Sequence, residues 1–159
     1  MKSNKNRGFT LIEMIVVVGI IGIITGVVFM SLDTARSQSR DKKRIGDVKS
    51  IQLALEIYYL KNKSYPDTLA VLSTGSDKQL PSVLTDPNGG SYNYVSYSPK
   101  SGSSECQAYH LGTILENDNK QFRDESSQFD SADITVTCGS TVGFDATSND
   151  RYYDVTPKY

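Results

Sequence analysis

The chain is poor in the residues that carry out chemistry. It has a single histidine, His110, and two cysteines, Cys106 and Cys138, in 159 residues. With no histidine–carboxylate cluster evident, the ingredients of a catalytic site are thin. No Cys-x-x-Cys pair is present, and the spacing of the two cysteines does not suggest zinc. An excess of one charge is also missing: the formal net charge is -1. A general nucleic-acid binder is therefore not expected, and no specific nucleic-acid partner is predicted. Proline is absent between Phe9 and Tyr65. From Phe9 to Leu32 charge is absent too, apart from one residue, Glu13.

That uncharged stretch dominates what is present. As a helix, Phe9–Leu32 spans roughly 36 Å, against a bilayer hydrocarbon core of about 30 Å. A soluble core rarely uses so long an apolar run, so a membrane span is predicted. Lys2, Lys5 and Arg7 precede it, as in a secretory signal. The sequence after it, VFMSLDTAR, has no clear A-x-A cleavage pattern, so the run is expected to stay on the mature protein.

Glu13 needs a reason to be there. A carboxylate at a bilayer centre costs about 2.5–3.5 kcal/mol on insertion scales, and less near the end of a span. The span holds no Lys, Arg or His to pair with it. Cleavage between Gly8 and Phe9 would create a partner, because the freed α-amino group of Phe9 is positive near neutral pH.

RGFTLIE, residues 7–13, resembles the processing site of type IV prepilins and the related pseudopilins. The resemblance implies that a membrane prepilin peptidase cuts after Gly8 and that Phe9 becomes N-methylated. It implies that Glu13 neutralises the terminal amine of an adjacent subunit during assembly. It implies an α+β, pilin-like fold: one long N-terminal helix, its first half transmembrane, packed on a small antiparallel sheet. KNKSYP, residues 61–66, and DPNGGSYNY, residues 86–94, are similar to the helix end and first-strand turn of the major, G-like pseudopilins. Many pilins carry a proline partway along this helix. Here Gly19, Gly22 and Gly26 are the only weak points, and glycine both lowers helix propensity and permits close packing.

Orientation raises a conflict. Five basic residues, Arg36, Arg40, Lys42, Lys43 and Arg44, follow the span and three precede it. The positive-inside rule then puts the C-terminal part in the cytosol. The resemblance puts it outside, and the export of a domain with two cysteines points the same way. The basic cluster is expected to be a solvated face, or to lie at lipid phosphates. Asp33, Asp41 and Asp47 interrupt any phosphate-tracking patch.

Beyond Leu32 the chain stays helix-compatible to about Asn62, and Ser64-Tyr65-Pro66 ends the helix. Val48, Ile51, Leu55 and Tyr58 form one stripe, and Leu53, Ile57 and Leu60 a second on nearly the opposite side. Two faces call for two partners: the chain's own sheet and other subunits. A loop of the same chain covering the second stripe is the alternative. A short helical turn is expected around Leu69–Leu72 and a turn at DPNGG. Strands are expected over Tyr92–Ser98, Ala108–Leu115, Ile134–Cys138 and Tyr152–Val155.

Cys106 and Cys138 can close a disulfide around a loop of roughly 30 residues, contributing about 3–4 kcal/mol in the chain-entropy model. Two buried thiols are the alternative. The resemblance favours the bond, since pilins often staple the later part of their sheet. Major pseudopilins bind calcium in C-terminal loops. Asp145, Asp150 and Asp154 are the candidates for that here, but their spacing is not an EF-hand loop, and no cofactor is predicted. His110, between Tyr109 and Leu111 on a strand, is expected to be structural. Asn62-Lys63-Ser64 fits a glycosylation tripeptide by chance.

These readings divide the chain into a leader (1–8), a transmembrane and filament-core half-helix (9–32) and an exported domain (33–159). The domain comprises the second half of the helix (33–62) and a loop and sheet (63–159). The function expected is that of a structural, non-enzymatic subunit of a type IV pilus or pseudopilus. Its partners would be further copies, other pilin-like subunits, the prepilin peptidase, the inner-membrane assembly platform and the membrane. It would sit in the cytoplasmic membrane before assembly and in an exported filament afterwards. The alternative is a non-polymerising, membrane-anchored binding protein for adhesion or DNA uptake.

Overall fold

The computed structural model describes residues 8–98, 105–117, 136–138 and 151–157. One α-helix, α1, spans Leu11–Asn62 without a break. No proline interrupts it, and each change of surroundings along it is met by a change of composition rather than a bend signal. It ends on an αL cap. Lys63 has φ 59° and its N–H donates to the Tyr59 carbonyl at 2.8 Å. Glycine usually occupies this position, so Lys63 carries a small steric cost there. Pro66 follows closely and excludes a further turn.

The chain forms two compact units, divided between Ser37 and Gln38. In the first, α1 is apolar on all sides up to Leu32, and among the described residues none of its large apolar side chains is buried. Among the described residues α1 is the helix long and apolar enough to cross a membrane. Thr25 Oγ1 donates to the Ile21 carbonyl at 2.7 Å, so this hydroxyl needs no water.

In the second unit, Ile45, Val48, Ile51, Ala54 and Leu55 of α1 pack on a four-stranded antiparallel sheet. The strands are β1 (Asn93–Ser98), β2 (Ala108–Ile114), β3 (Val136–Thr137) and β4 (Tyr152–Val155). Their order across the sheet is β3-β1-β2-β4. The register pairs Tyr94 with Leu111, and Leu111 with Val155. With period-2 alternation, this places Tyr94, Leu111 and Val155 on the face that meets α1. A 3-10 helix over Leu69–Ser73 adds the buried Leu72 to the same core. Each fully buried Leu, Ile or Val contributes about 1.5–3 kcal/mol.

Tyrosines fill much of this core, and their hydroxyls find acceptors. Tyr94 donates to the Pro66 carbonyl at 2.7 Å and Tyr92 to Asp47 at 2.6 Å. Tyr65 and Tyr109 both reach Glu56 at 3.3 Å, with their rings edge-on at 4.7 Å. Burial raises the pKa of Tyr92, Tyr94 and Tyr109 above that of a free phenol, so all three stay protonated donors. On the other face of the sheet, buried His110 sits 2.9 Å from Asp154 and ties β2 to β4.

Cys106, just before β2, is disulfide-bonded to Cys138, just after β3. Their Cα atoms lie 5.9 Å apart, within the range such a bond requires. The Cys138 N–H also donates to the Ser96 carbonyl at 3.0 Å. The covalent link therefore reinforces the pairing of a strand only two residues long.

The sequence-based strand limits agree with the sheet to within a residue for β1 and β2, and β4 is as expected. Of the third, Val136–Cys138 is described; Ile134 lies outside the described residues. The expected helical turn is the 3-10 helix. The second stripe of α1 is open: Leu53 is 64% and Leu60 69% exposed, and Ile57 39%.

Candidate functional site

The start of α1 brings the sequence-predicted residues together. Thr10 is the last residue before the helix and Glu13 is its third residue. Thr10 Oγ1 donates to Glu13 Oε2 at 3.2 Å, and the Thr10 N–H donates to the same oxygen at 3.3 Å. In return the Glu13 N–H donates to Thr10 Oγ1 at 3.3 Å. This is a reciprocal capping box, and it satisfies two N–H groups that a helix start otherwise leaves without partners. Glu13 also lies in the first turn, where the helix dipole favours negative charge. A carboxylate at this position is thus held by its own chain before any partner arrives.

Gly8 and Phe9 lie just ahead of the helix and outside it. Phe9 is 79% exposed, and a Cβ placed on Gly8 would meet no described atom within 4 Å. The Gly8–Phe9 peptide bond is therefore in non-helical backbone and open to another molecule. Residues 1–7 of the expected leader lie outside the described residues. The S/T-x-x-E signature of the capping box was present in TLIE, residues 10–13, and a reading centred on charge passes over Thr10.

The basic cluster after the span required correction. It is not one solvated face. Arg44, only 3% exposed, donates through Nε to Asp86 at 2.6 Å. Its Nη1 donates to Asp41 and to Glu116, each at 2.8 Å. Arg40 Nε reaches Glu116 at 2.8 Å. Lys43 pairs with Asp47 along the helix, and Arg36 with Asp33. Lys42 is exposed.

Local structure aims the acids at Arg44. In DPNGG the Gly89 N–H donates to the Asp86 carbonyl at 2.9 Å, and the Asn88 N–H caps the Asp86 side chain at 2.8 Å. Gly89 and Gly90 take φ of 90° and 102°, a region that favours glycine. Asp41 accepts the backbone N–H of Glu116 at 2.9 Å and of Asn117 at 3.0 Å. This joins α1 to the chain leaving β2.

The acids are held ionised. The hydrogen bond from Arg40, with help from Arg44, brings the Glu116 carboxyl down to about 2. The hydrogen bond from Arg44 lowers Asp86. Burial works against Asp41, but hydrogen bonds from Glu116, Asn117 and Arg44 outweigh it, and the net shift is downward. Arg44 itself is shifted up, chiefly by Asp86. The network is a structural clasp. Its carboxylates are committed to arginines and backbone donors.

Among the described residues no group of three or more His, Cys, Asp or Glu side chains could hold a metal ion. Of the calcium candidates, Asp145 and Asp150 lie outside the described residues, and Asp154 is engaged by His110.

Comparison with known proteins bears on the same segment. Residues 3–29 match the prokaryotic N-terminal methylation motif. The chain is 34% identical to type II secretion system core protein G of Pseudomonas aeruginosa, over 60% of this chain and 77% of that protein. It is 33% identical to the protein of that name from Klebsiella michiganensis, over 60% and 78%. Against the Vibrio cholerae protein of that name it is 34% identical, over 60% and 74%. No solved structure matches the chain significantly.

Proposed function

This chain belongs to the family of the type II secretion system core protein G, and on that premise we propose that it is a structural subunit of a pseudopilus filament. The observation that carries the reading is the start of α1. An exposed Gly8–Phe9 bond stands directly ahead of a capped carboxylate at the head of an apolar helix that the chain leaves uncovered.

The chain is anchored in a membrane by its apolar helix before assembly; in this reading that is the cytoplasmic membrane. A prepilin peptidase hydrolyses the Gly8–Phe9 amide. Gly8 leaves with the leader as a carboxylate and Phe9 gains an α-amino group, which is then methylated. Residues 9–32 enter the filament core, and residues 33–159 form its exported coat. An inner-membrane platform drives the transfer.

Inside the core, Glu13 of one subunit meets the Phe9 ammonium of the next. The two charges neutralise each other in a medium that cannot solvate either. Their net contribution to stability is small, because lipid and capping already accommodate the carboxylate. Their value lies in register, since only one axial stagger pairs them. Cohesion comes from packing, because lipid shields the same apolar surface in the unassembled state.

The test is N-terminal sequencing of the mature protein, together with electron microscopy of sheared cells. A chain beginning at methylated Phe9 and present in fibres is expected. An intact leader on exported, unpolymerised protein overturns the reading and favours a membrane-anchored binder.

A further inference from the structure

The second unit carries two apolar features that remain open at its surface. The first is the outer face of α1. Leu53, Ile57 and Leu60 recur at helical spacing and are exposed, while Ile51, Ala54 and Leu55 on the opposite side of the helix are buried in the core. The second is a cleft of about 340 Å³ between the 3-10 helix and the start of β1. Leu69, Ala70, Val83, Leu84 and Tyr92 line it, with Asp67 as its one carboxylate. Val83 is 43% exposed at its edge.

The charges around these features are unlike. Lys49 stands one turn before Leu53 on the outer face of α1, and Lys61 and Lys63 follow Leu60; all three are exposed. Lys61 is paired with Asp77 at 2.7 Å. No ion pair is found for Lys49 or Lys63 among the described residues. Strip against strip would bring lysines together, which disfavours a symmetric pair. Strip against cleft brings lysines toward Asp67.

A contact between two unlike surfaces of one chain is heterologous. Repeated with a rotation that does not close, it generates an open helical polymer. We propose that the Leu53–Ile57–Leu60 strip of one copy seats in the Leu69–Val83–Leu84 cleft of the next copy. This rests on the filament reading and names a coat-level contact, separate from the pairing of Glu13 with Phe9. Seating the strip removes three aliphatic side chains from water, where α1 no longer has lipid to cover it. The cleft is at the small end for a ligand pocket, but it has room for a few aliphatic groups.

The test places a benzoylphenylalanine photo-crosslinker at Ile57 in the full chain and irradiates assembled fibres. Crosslinked dimers whose junctions map by mass spectrometry to residues 67–70, 83–84 or 91–94 of a second copy are expected. A second variant, Leu53→Asp, is expected to be processed and to keep its Cys106–Cys138 bond and its melting profile, yet to lose most of its sheared fibre. Fibres whose Ile57 crosslinks map elsewhere, or Leu53→Asp fibres at unchanged yield, overturn the pairing and leave the filament reading standing. Absence of fibres from the unsubstituted chain overturns both.

Discussion

The hydroxyl of Thr10 donates to the carboxylate of Glu13 across 3.2 Å, so the one charge in the apolar run begins as part of its own helix cap. In the proposed filament the carboxylate has two successive tasks: it closes the helix start, as seen here, and it would then serve the neighbouring subunit's terminal amine. The two can be separated by substitution, because glutamine can close a capping box and cannot pair with an ammonium as a charge.

Glu13→Ala is expected to remove both tasks, and Glu13→Gln only the second. Both variants should be cleaved after Gly8 at close to the normal rate and should yield few fibres. They should differ in amide exchange at residues 11–14 in micelles, slow for Gln and fast for Ala. Equal fibre yield from Glu13→Gln and the unsubstituted chain would refute a role for the charge.

Thr10→Ser should preserve the cap and Thr10→Ala should lose about 1 kcal/mol of helix-start stability. The check is the same exchange measurement. Identical protection in both variants would mean that the hydroxyl closes nothing.

Arg44→Met removes the centre of the clasp and leaves Asp41, Asp86 and Glu116 facing one another. Losing one partner from a buried ion pair costs about 3–5 kcal/mol, whereas Lys42→Ala, at an exposed site, should stay within about 0.5 kcal/mol. Denaturant melts of the full chain in detergent can compare them. A mild Arg44→Met would show that the clasp is not what holds α1 to the sheet region.

Acid should loosen the same clasp. The carboxyls of Asp41, Asp86 and Glu116 are all lowered in the folded chain. A group with a depressed folded pKa binds more protons when unfolded, so its contribution is full above its unfolded value and shrinks as pH falls. For Glu116 that window runs from its ordinary 4.5 down to about 2. Thermal stability should therefore fall progressively below about pH 5. In Arg44→Met the slope should be flatter, and an unchanged slope would assign the acid sensitivity to other groups.

Replacing Cys106 and Cys138 together by serine should cost about 3–4 kcal/mol in the chain-entropy model. Reduction by dithiothreitol should reproduce the shift in the unsubstituted chain and leave the double variant unmoved. Absence of any shift on reduction would mean that the bond is not formed in the exported protein.

The long helix, its end and the sheet were legible because each rests on a short-range rule. An uncharged run, apolar residues at helical spacing up to Leu60 and a proline at 66 bound α1. Alternation of the kind seen in Tyr109, Leu111 and Thr113 marks a half-buried strand, and DPNGG marks a turn. The two stripes of the second half of α1 were readable for the same reason. The outer one is exposed among the described residues.

The residues misjudged were those whose partners are distant in sequence. Nothing local distinguishes Arg44, which is buried, from Lys42, which is exposed. The difference is that Arg44 lies on the face of α1 where the Asp86 turn and the end of β2 arrive. His110 reads as structural in the sequence; only its partner, Asp154, was not legible, because β4 brings it from far along the chain.

By itself the sequence determined the apolar helix, the place of its one carboxylate and cap, and the alternation of the strands. These follow from backbone periodicity and from side chains within a turn of each other. Only the tertiary structure decided which charges turn inward. Burial of an ion is tolerable only where opposite charges and backbone donors converge on it, and that convergence is made by the packing of distant segments.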